Sequence, residues 1–86
     1  MKSFPLTIVS DSQILFSGQA RYCGITALSG SIGFEADHEP FIGILRKKTP
    51  ITIIDDASKE MTVEVESGIL SFNNNSCTVT VQLPGA

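Results

Sequence analysis

Four ionisable side chains crowd into five positions of this 86-residue chain: Glu35, Asp37, His38 and Glu39. Carboxylates beside an imidazole are the material of a hard-cation site or of acid–base catalysis. That chemistry requires the groups to converge on one point, whereas adjacent loop side chains diverge. His38 is also the single histidine, with no distant acid spaced to complete a set. The expectation is a solvated loop in which His38 touches a partner. Ser29-Gly30-Ser31-Ile32-Gly33 has glycines like those of a phosphate cradle, but a P-loop needs GxxxxGK[ST] before a helix. Here no lysine follows and a strand is expected, so the glycines read as a tight turn with positive φ. Arg46-Lys47-Lys48 is the basic cluster, suited to an acidic partner surface or lipid headgroups. It lacks the interleaved aromatics that stack nucleic-acid bases. The serines have no GxSxG elbow. Cys23 and Cys77 have no CxxC spacing, and one histidine does not complete a Cys/His zinc site. Cys77 occupies an inward strand position, where a thiol is inert packing. These residues describe a binding or structural module with no catalytic residues, metal or cofactor.

Composition narrows the scaffold that presents them. Hydrophobic residues at 42% and charged residues at 17% belong to a folded globule and exclude disorder and low complexity. The net charge of −3 has the wrong sign for a general nucleic-acid binder. Residues 1–86 are expected to form a single domain. Met1 to Val9 carries one charge and no unbroken apolar run, so it does not read as a signal peptide. No apolar run reaches the roughly 18 residues of a membrane span, so no direct membrane insertion is expected. Reduced thiols and a cytosolic setting are the expectation. Ile, Val and Thr together number 22, against 11 for Ala plus Leu. Stiff β-branched side chains favour pleated strands over helices.

Alternation supports that preference along the whole chain. Phe4, Leu6 and Ile8 share one face, and Pro5 places this strand at a sheet edge or near its own start. Ile14-Leu15-Phe16 is a short strand ended by Ser17-Gly18. Cys23 and Ile25 point inward, followed by Ile32-Gly33-Phe34 and the apolar run Phe41 to Leu45. Pro50 to Asp55 leads through the turn Asp56-Ala57-Ser58-Lys59 to inward Met61, Val63 and Val65. Ile69 to Phe72 then reaches Asn73-Asn74-Asn75, residues that tolerate the left-handed geometry of a tight hairpin. Cys77, Val79, Val81 and Leu83 close the chain facing inward, with Thr78, Thr80 and Gln82 facing out. Neighbours on a strand face opposite ways, so one of Phe41 and Ile42 is core and the other is surface. The fold class expected is all-β: a two-sheet antiparallel β-sandwich of nine or so short strands.

The order of segments is informative: Leu6-Thr7-Ile8-Val9-Ser10, Phe16-Ser17-Gly18, Gly30-x-x-Gly33 leading to His38-x-Pro40, Gly68-Ile69-Leu70, and a final Thr-Val-Thr-Val strand. From Phe4 to Leu83 this resembles the N-terminal β-sandwich domain of the ATP synthase epsilon subunit (delta in mitochondria). The resemblance implies a sandwich of about ten short strands that serves as a non-catalytic rotor subunit of the central stalk in the F1 complex, bound to the gamma subunit and resting on the membrane c-ring. It implies gamma-facing roles for Ser10, His38, Pro40, Phe41, Ile42 and Gly43, and c-ring-facing roles for Gly30 and Ser31. It also implies a peripheral location on the cytoplasmic face of a bacterial inner membrane. A stand-alone interaction adaptor derived from the same family is the alternative. Departures from the family pattern are Ser31 for Glu, Ala36-Asp37 for Pro-Gly, Glu39 for Ala, and Arg46-Lys47-Lys48-Thr49-Pro50 for a Lys-Pro-Gly turn. The family commonly continues into a C-terminal helical pair. This chain ends at Leu83-Pro84-Gly85-Ala86, and the expectation is no helical domain and no nucleotide bound by it.

Overall fold

The alternating pattern is realised as strands throughout the computed structural model, which describes residues 2–85. Eight strands and no helix occur among the described residues: β1 (Phe4–Val9), β2 (Ile14–Ala27), β3 (Gly30–Phe34), β4 (Phe41–Ile44), β5 (Pro50–Asp55), β6 (Glu60–Glu64), β7 (Ser67–Asn73) and β8 (Ser76–Gln82). Their hydrogen-bonded order is β4-β7-β8-β1-β2-β5-β6, with β3 paired to β2 beside that path. One continuous sheet is thus folded into two layers. The first holds β4, β7, β8, β1 and the start of β2; the second holds the end of β2 with β3, β5 and β6.

Eight strands stand where nine were read along the chain, because β2 is one strand of 14 residues where two short ones were expected. Ser17-Gly18 does not end it. Gly18 pairs with Leu6 of β1, and the neighbouring strand carries the ladder through the glycine. Between Ala20 and Tyr22 the register against β5 shifts. An inserted residue reverses which face later side chains occupy and increases the local bend. Ala20 is buried before the shift, and Cys23, Ile25 and Ala27 are buried after it. The two halves of β2 therefore both serve the interior while belonging to different layers.

β1 is an interior strand, antiparallel to β2 and parallel to β8. That parallel ladder departs from the otherwise antiparallel pairing. It is possible because nearly the whole chain lies between the two strands and supplies the long connection parallel neighbours require. Pro5 is tolerated near the strand start, since the ladder to β8 begins at Leu6. At the far end of the β7–β8 hairpin, Asn74 and Asn75 have φ of 52° and 59°, the left-handed pair of a two-residue turn.

Phe4, Leu6 and Ile8, Ile51 and Ile53, Leu70 and Phe72, and Val79 and Val81 fill the space between the layers with Phe34, Leu45 and Val65. No polar or charged residue is buried among the described residues. Cys23 and Cys77, from opposite layers, are buried free thiols. A hydrogen bond with Cys77, followed by burial, pushes the Cys23 thiol well above the ordinary thiol range. A raised native pKa means stability that is whole below the unfolded thiol value of about 8.5 and is lost as pH climbs above it. Unfolding free energy is expected to fall above that pH by up to about 1.4 kcal/mol per unit for this thiol. Urea titrations from pH 8 to 10 check this, and Cys23→Ala should flatten the slope. Phe72 packs on both Phe4 and Phe34, at ring separations of 5.4 and 5.7 Å. Phe72→Ala should cost about 3–5 kcal/mol in the same titration at pH 7, and a cost near zero would contradict this core.

Candidate functional site

The loop between β3 and β4 carries the polar cluster, and its side chains go separate ways. Asp37, held at φ 70°, pairs with Lys2 at 2.7 Å, while its N–H donates to Asn75 Oδ1 at 2.6 Å. His38 turns inward instead. Its ring lies 4.6 Å from that of Phe34 and 5.5 Å from that of Phe72. Its Nδ1 stands 2.7 Å from the Glu39 carbonyl, which can only accept, so Nδ1 carries a proton and donates it. Glu35 and Glu39 are exposed. No group of three or more His, Cys, Asp or Glu side chains among the described residues is arranged to hold a metal ion. The imidazole is used as an aromatic plate on a phenylalanine cluster.

Phe41 joins that cluster, 5.4 Å from Phe34, so it is the inward member of the Phe41-Ile42 pair. Its ring crosses Gly43, where a Cβ would come within 2.5 Å of the ring. A side chain at Gly43 would have to displace the Phe41 ring from this position. Ile42, 78% exposed, points the other way. Pro40 is exposed beside it in the loop.

Ile42 belongs to a larger surface. In register across the first layer lie the rows Ile42, Ser71, Thr78, Thr7 and Ile44, Ile69, Thr80, Val9. Directly registered residues present side chains to the same face. This grid on β4, β7, β8 and β1 contains no charged residue. By contrast, the outward side of edge strand β6 reads Glu60, Thr62, Glu64. Ile44 and Ile69 are 55% and 52% exposed, and they line a shallow groove of about 300 Å³ with Gly68, Thr80 and Val81. A contiguous apolar and hydroxylic face without charges is the signature of an interaction surface.

The remaining expected site residues sit elsewhere. Ser10 follows Val9 at the corner of the grid diagonal to Phe41, where its Oγ accepts the N–H groups of Ser12 and Gln13. Gly30, at φ 129°, begins β3 opposite Ala27, at the end of the molecule away from His38. Ser31 beside it is exposed. Sequence reasoning missed Ile44, Ile69 and Thr80. Their signal was available as outward strand positions filled by Ile and Thr where solvent favours Lys or Glu.

The described residues thus form a two-layer β-sandwich with an uncharged sheet face, and the ionisable side chains of the His38 loop do not converge. The family model for the ATP synthase delta/epsilon chain β-sandwich domain matches residues 3–83, and the chain belongs to that family. It is similar to the ATP synthase epsilon chain of Brevibacillus brevis, 28% identical over 88 aligned positions that cover 99% of this chain and 66% of the relative. The Corynebacterium efficiens epsilon chain is 30% identical, with 92% of this chain and 64% of the relative covered. The chain thus spans just under two thirds of the length of these relatives. A chain in the cryo-EM structure of the Euglena gracilis mitochondrial ATP synthase superposes with a TM-score of 0.84 at 15% identity, covering 92% of this chain and 50% of that one. One from the central stalk and c-ring of the Tetrahymena thermophila enzyme gives 0.78 at 12%, covering 91% and 62%. At these identities the superpositions establish the shared fold.

Because His38 acts as a packing plate, His38→Ala should lower stability by roughly 0.5–1.5 kcal/mol, the worth of an aromatic pair. Thermal unfolding monitored by circular dichroism checks this. An unshifted melting temperature would place the ring outside the cluster.

Proposed function

We propose that this domain is a non-catalytic central-stalk subunit of an F-type ATP synthase, peripheral to the membrane as part of F1, which couples gamma to the c-ring. The observation that carries the reading is the uncharged grid on β4, β7, β8 and β1, in a member of the delta/epsilon family. A stable interface takes about 800 Å² from each partner, roughly a sixth of the 5023 Å² surface. A loop such as Glu35–Pro40 is too small to supply that area alone, whereas a sheet face with its rim can. In this reading gamma covers the grid. Ser10 marks one corner, and Ile42 with Pro40 and the His38 loop marks the other. Phe41 and Gly43 support the rim from within. The Gly30–Ser31 turn, at the opposite end from His38, meets the c-ring.

The role asks for stiffness and no chemistry. Close-packed interiors have low compressibility and transmit strain, and no polar or charged residue is buried in this one among the described residues. Uncharged Ile and Thr can be covered without the desolvation cost that Lys or Glu would impose. The adaptor alternative has no observation of its own in its favour.

Ile44→Glu and Ile69→Glu should each weaken association with gamma by about 100-fold, the loss of a central interface residue plus a buried unpaired charge. Binding of purified chain to immobilised gamma measures this, with Thr62→Glu on β6 as the control. Unchanged affinity in both variants, with melting temperatures intact, would move gamma to another face.

A further inference from the structure

The basic loop Arg46-Lys47-Lys48 belongs neither to the uncharged grid nor to the His38 loop. It follows Leu45, which bridges to Ala27 at the end of β2. The Arg46 N–H donates to the Thr26 carbonyl at 2.8 Å, and its guanidinium Nη2 donates to the Leu28 carbonyl at 3.1 Å. The Lys48 N–H donates to the Glu66 carbonyl at 3.0 Å, and Thr49 Oγ1 closes the turn onto the Arg46 carbonyl at 2.6 Å. The loop is therefore fastened to the turn that leads into Gly30 and Ser31. All three cations are exposed, and none has an ion-pair partner among the described residues. Leu28, 61% exposed, stands beside them.

Charge is distributed unevenly over the 37 Å length of the molecule. Glu35, Asp37, Glu39, Asp55, Asp56 and Glu60 gather at the His38 end, where the cations Lys2, Arg21 and Lys59 are dispersed over separate elements. The opposite end holds the three consecutive cations with Asp11, Glu64 and Glu66. Of the two ends, only this one concentrates positive charge in one loop. Its cations are also presented by a backbone already held in place, which lowers the ordering cost of binding.

We propose that Lys47 and Lys48, with Leu28 at their side, dock on a carboxylate-bearing segment of the c-ring's exposed loops, and that this acidic segment is what the domain recognises in the ring. The proposal rests on the reading that the Gly30–Ser31 turn meets the c-ring. Fixed cations match fixed carboxylates on a protein, where geometry gives register as well as attraction. Three cations on a small rigid loop give a lipid surface only weak, reversible attraction.

The test is binding of the chain, assembled with gamma, to detergent-solubilised c-ring from the same source at rising salt. Lys47→Glu/Lys48→Glu should weaken binding at least tenfold at low salt and flatten the salt dependence, while Lys59→Glu at the other end leaves both unchanged. Unweakened binding by the double variant overturns the acidic-segment assignment and leaves the c-ring reading standing. Failure of the unmodified assembly to bind the ring overturns both. Retention of the chain on phosphatidylglycerol vesicles but not on phosphatidylcholine vesicles, in place of ring binding, assigns the loop to lipid and overturns the proposal. Both lysines are exposed, so an unshifted melting temperature certifies that the double variant is folded.

Discussion

In β2 the chain inserts one residue against β5 between Ala20 and Tyr22, and the side chains beyond it exchange faces. The closing of the second layer over the first depends on that exchange. Without it, Cys23, Ile25 and Ala27 would point away from the space occupied by Ala20, and the second half of the sheet would show its apolar side to water. With it, one strand serves two layers, and the interior closes over Phe4, Phe34, Leu70, Phe72 and Val79. A bulge is a local event costing one unpaired residue, yet it decides whether the sheet stays open or folds upon itself. The second half of β2 also pairs with β3, which brings Phe34 to the cluster beneath His38.

The two surfaces argued to be functional are products of the same geometry. The grid of Ile42, Ile44, Ile69, Ser71, Thr78, Thr80, Thr7 and Val9 draws on four strands from both ends of the chain, and the parallel pairing of β1 with β8 joins its two halves. The basic loop and the Gly30–Ser31 turn meet because Leu45 reaches across to Ala27. Face and end are then perpendicular features of one stiff body. A body of that form can hold two partners at once in fixed relation. Rigid coupling asks for this arrangement, and it needs no reactive group.

Much of this was legible in the residues. The Asn-Asn turn, inward Cys23 and Cys77, and the clean last strand follow from local rules of conformation and alternation. His38 is a fair case of partial legibility. A single imidazole in an acidic loop argues against catalysis, but its seat on Phe34 and Phe72 depends on a strand 34 positions away in the chain arriving beneath it. The early end assigned to the strand at Ser17-Gly18 erred for a related reason. Glycine weakens a strand intrinsically, whereas the ladder to Leu6 and its neighbours supplies what the residue lacks.

The amino-acid sequence by itself determined that this protein is made of strands, which side of most strands is apolar, and where several turns fall. These are properties of neighbours along the chain, set by steric preference and by period-two alternation. Tertiary structure alone decided that β1 lies inside the sheet beside β8, that β2 crosses between layers, and that scattered Ile and Thr residues form one uncharged face. Register between distant strands rests on the packing of the whole interior, and that quantity is defined only once every strand is in place.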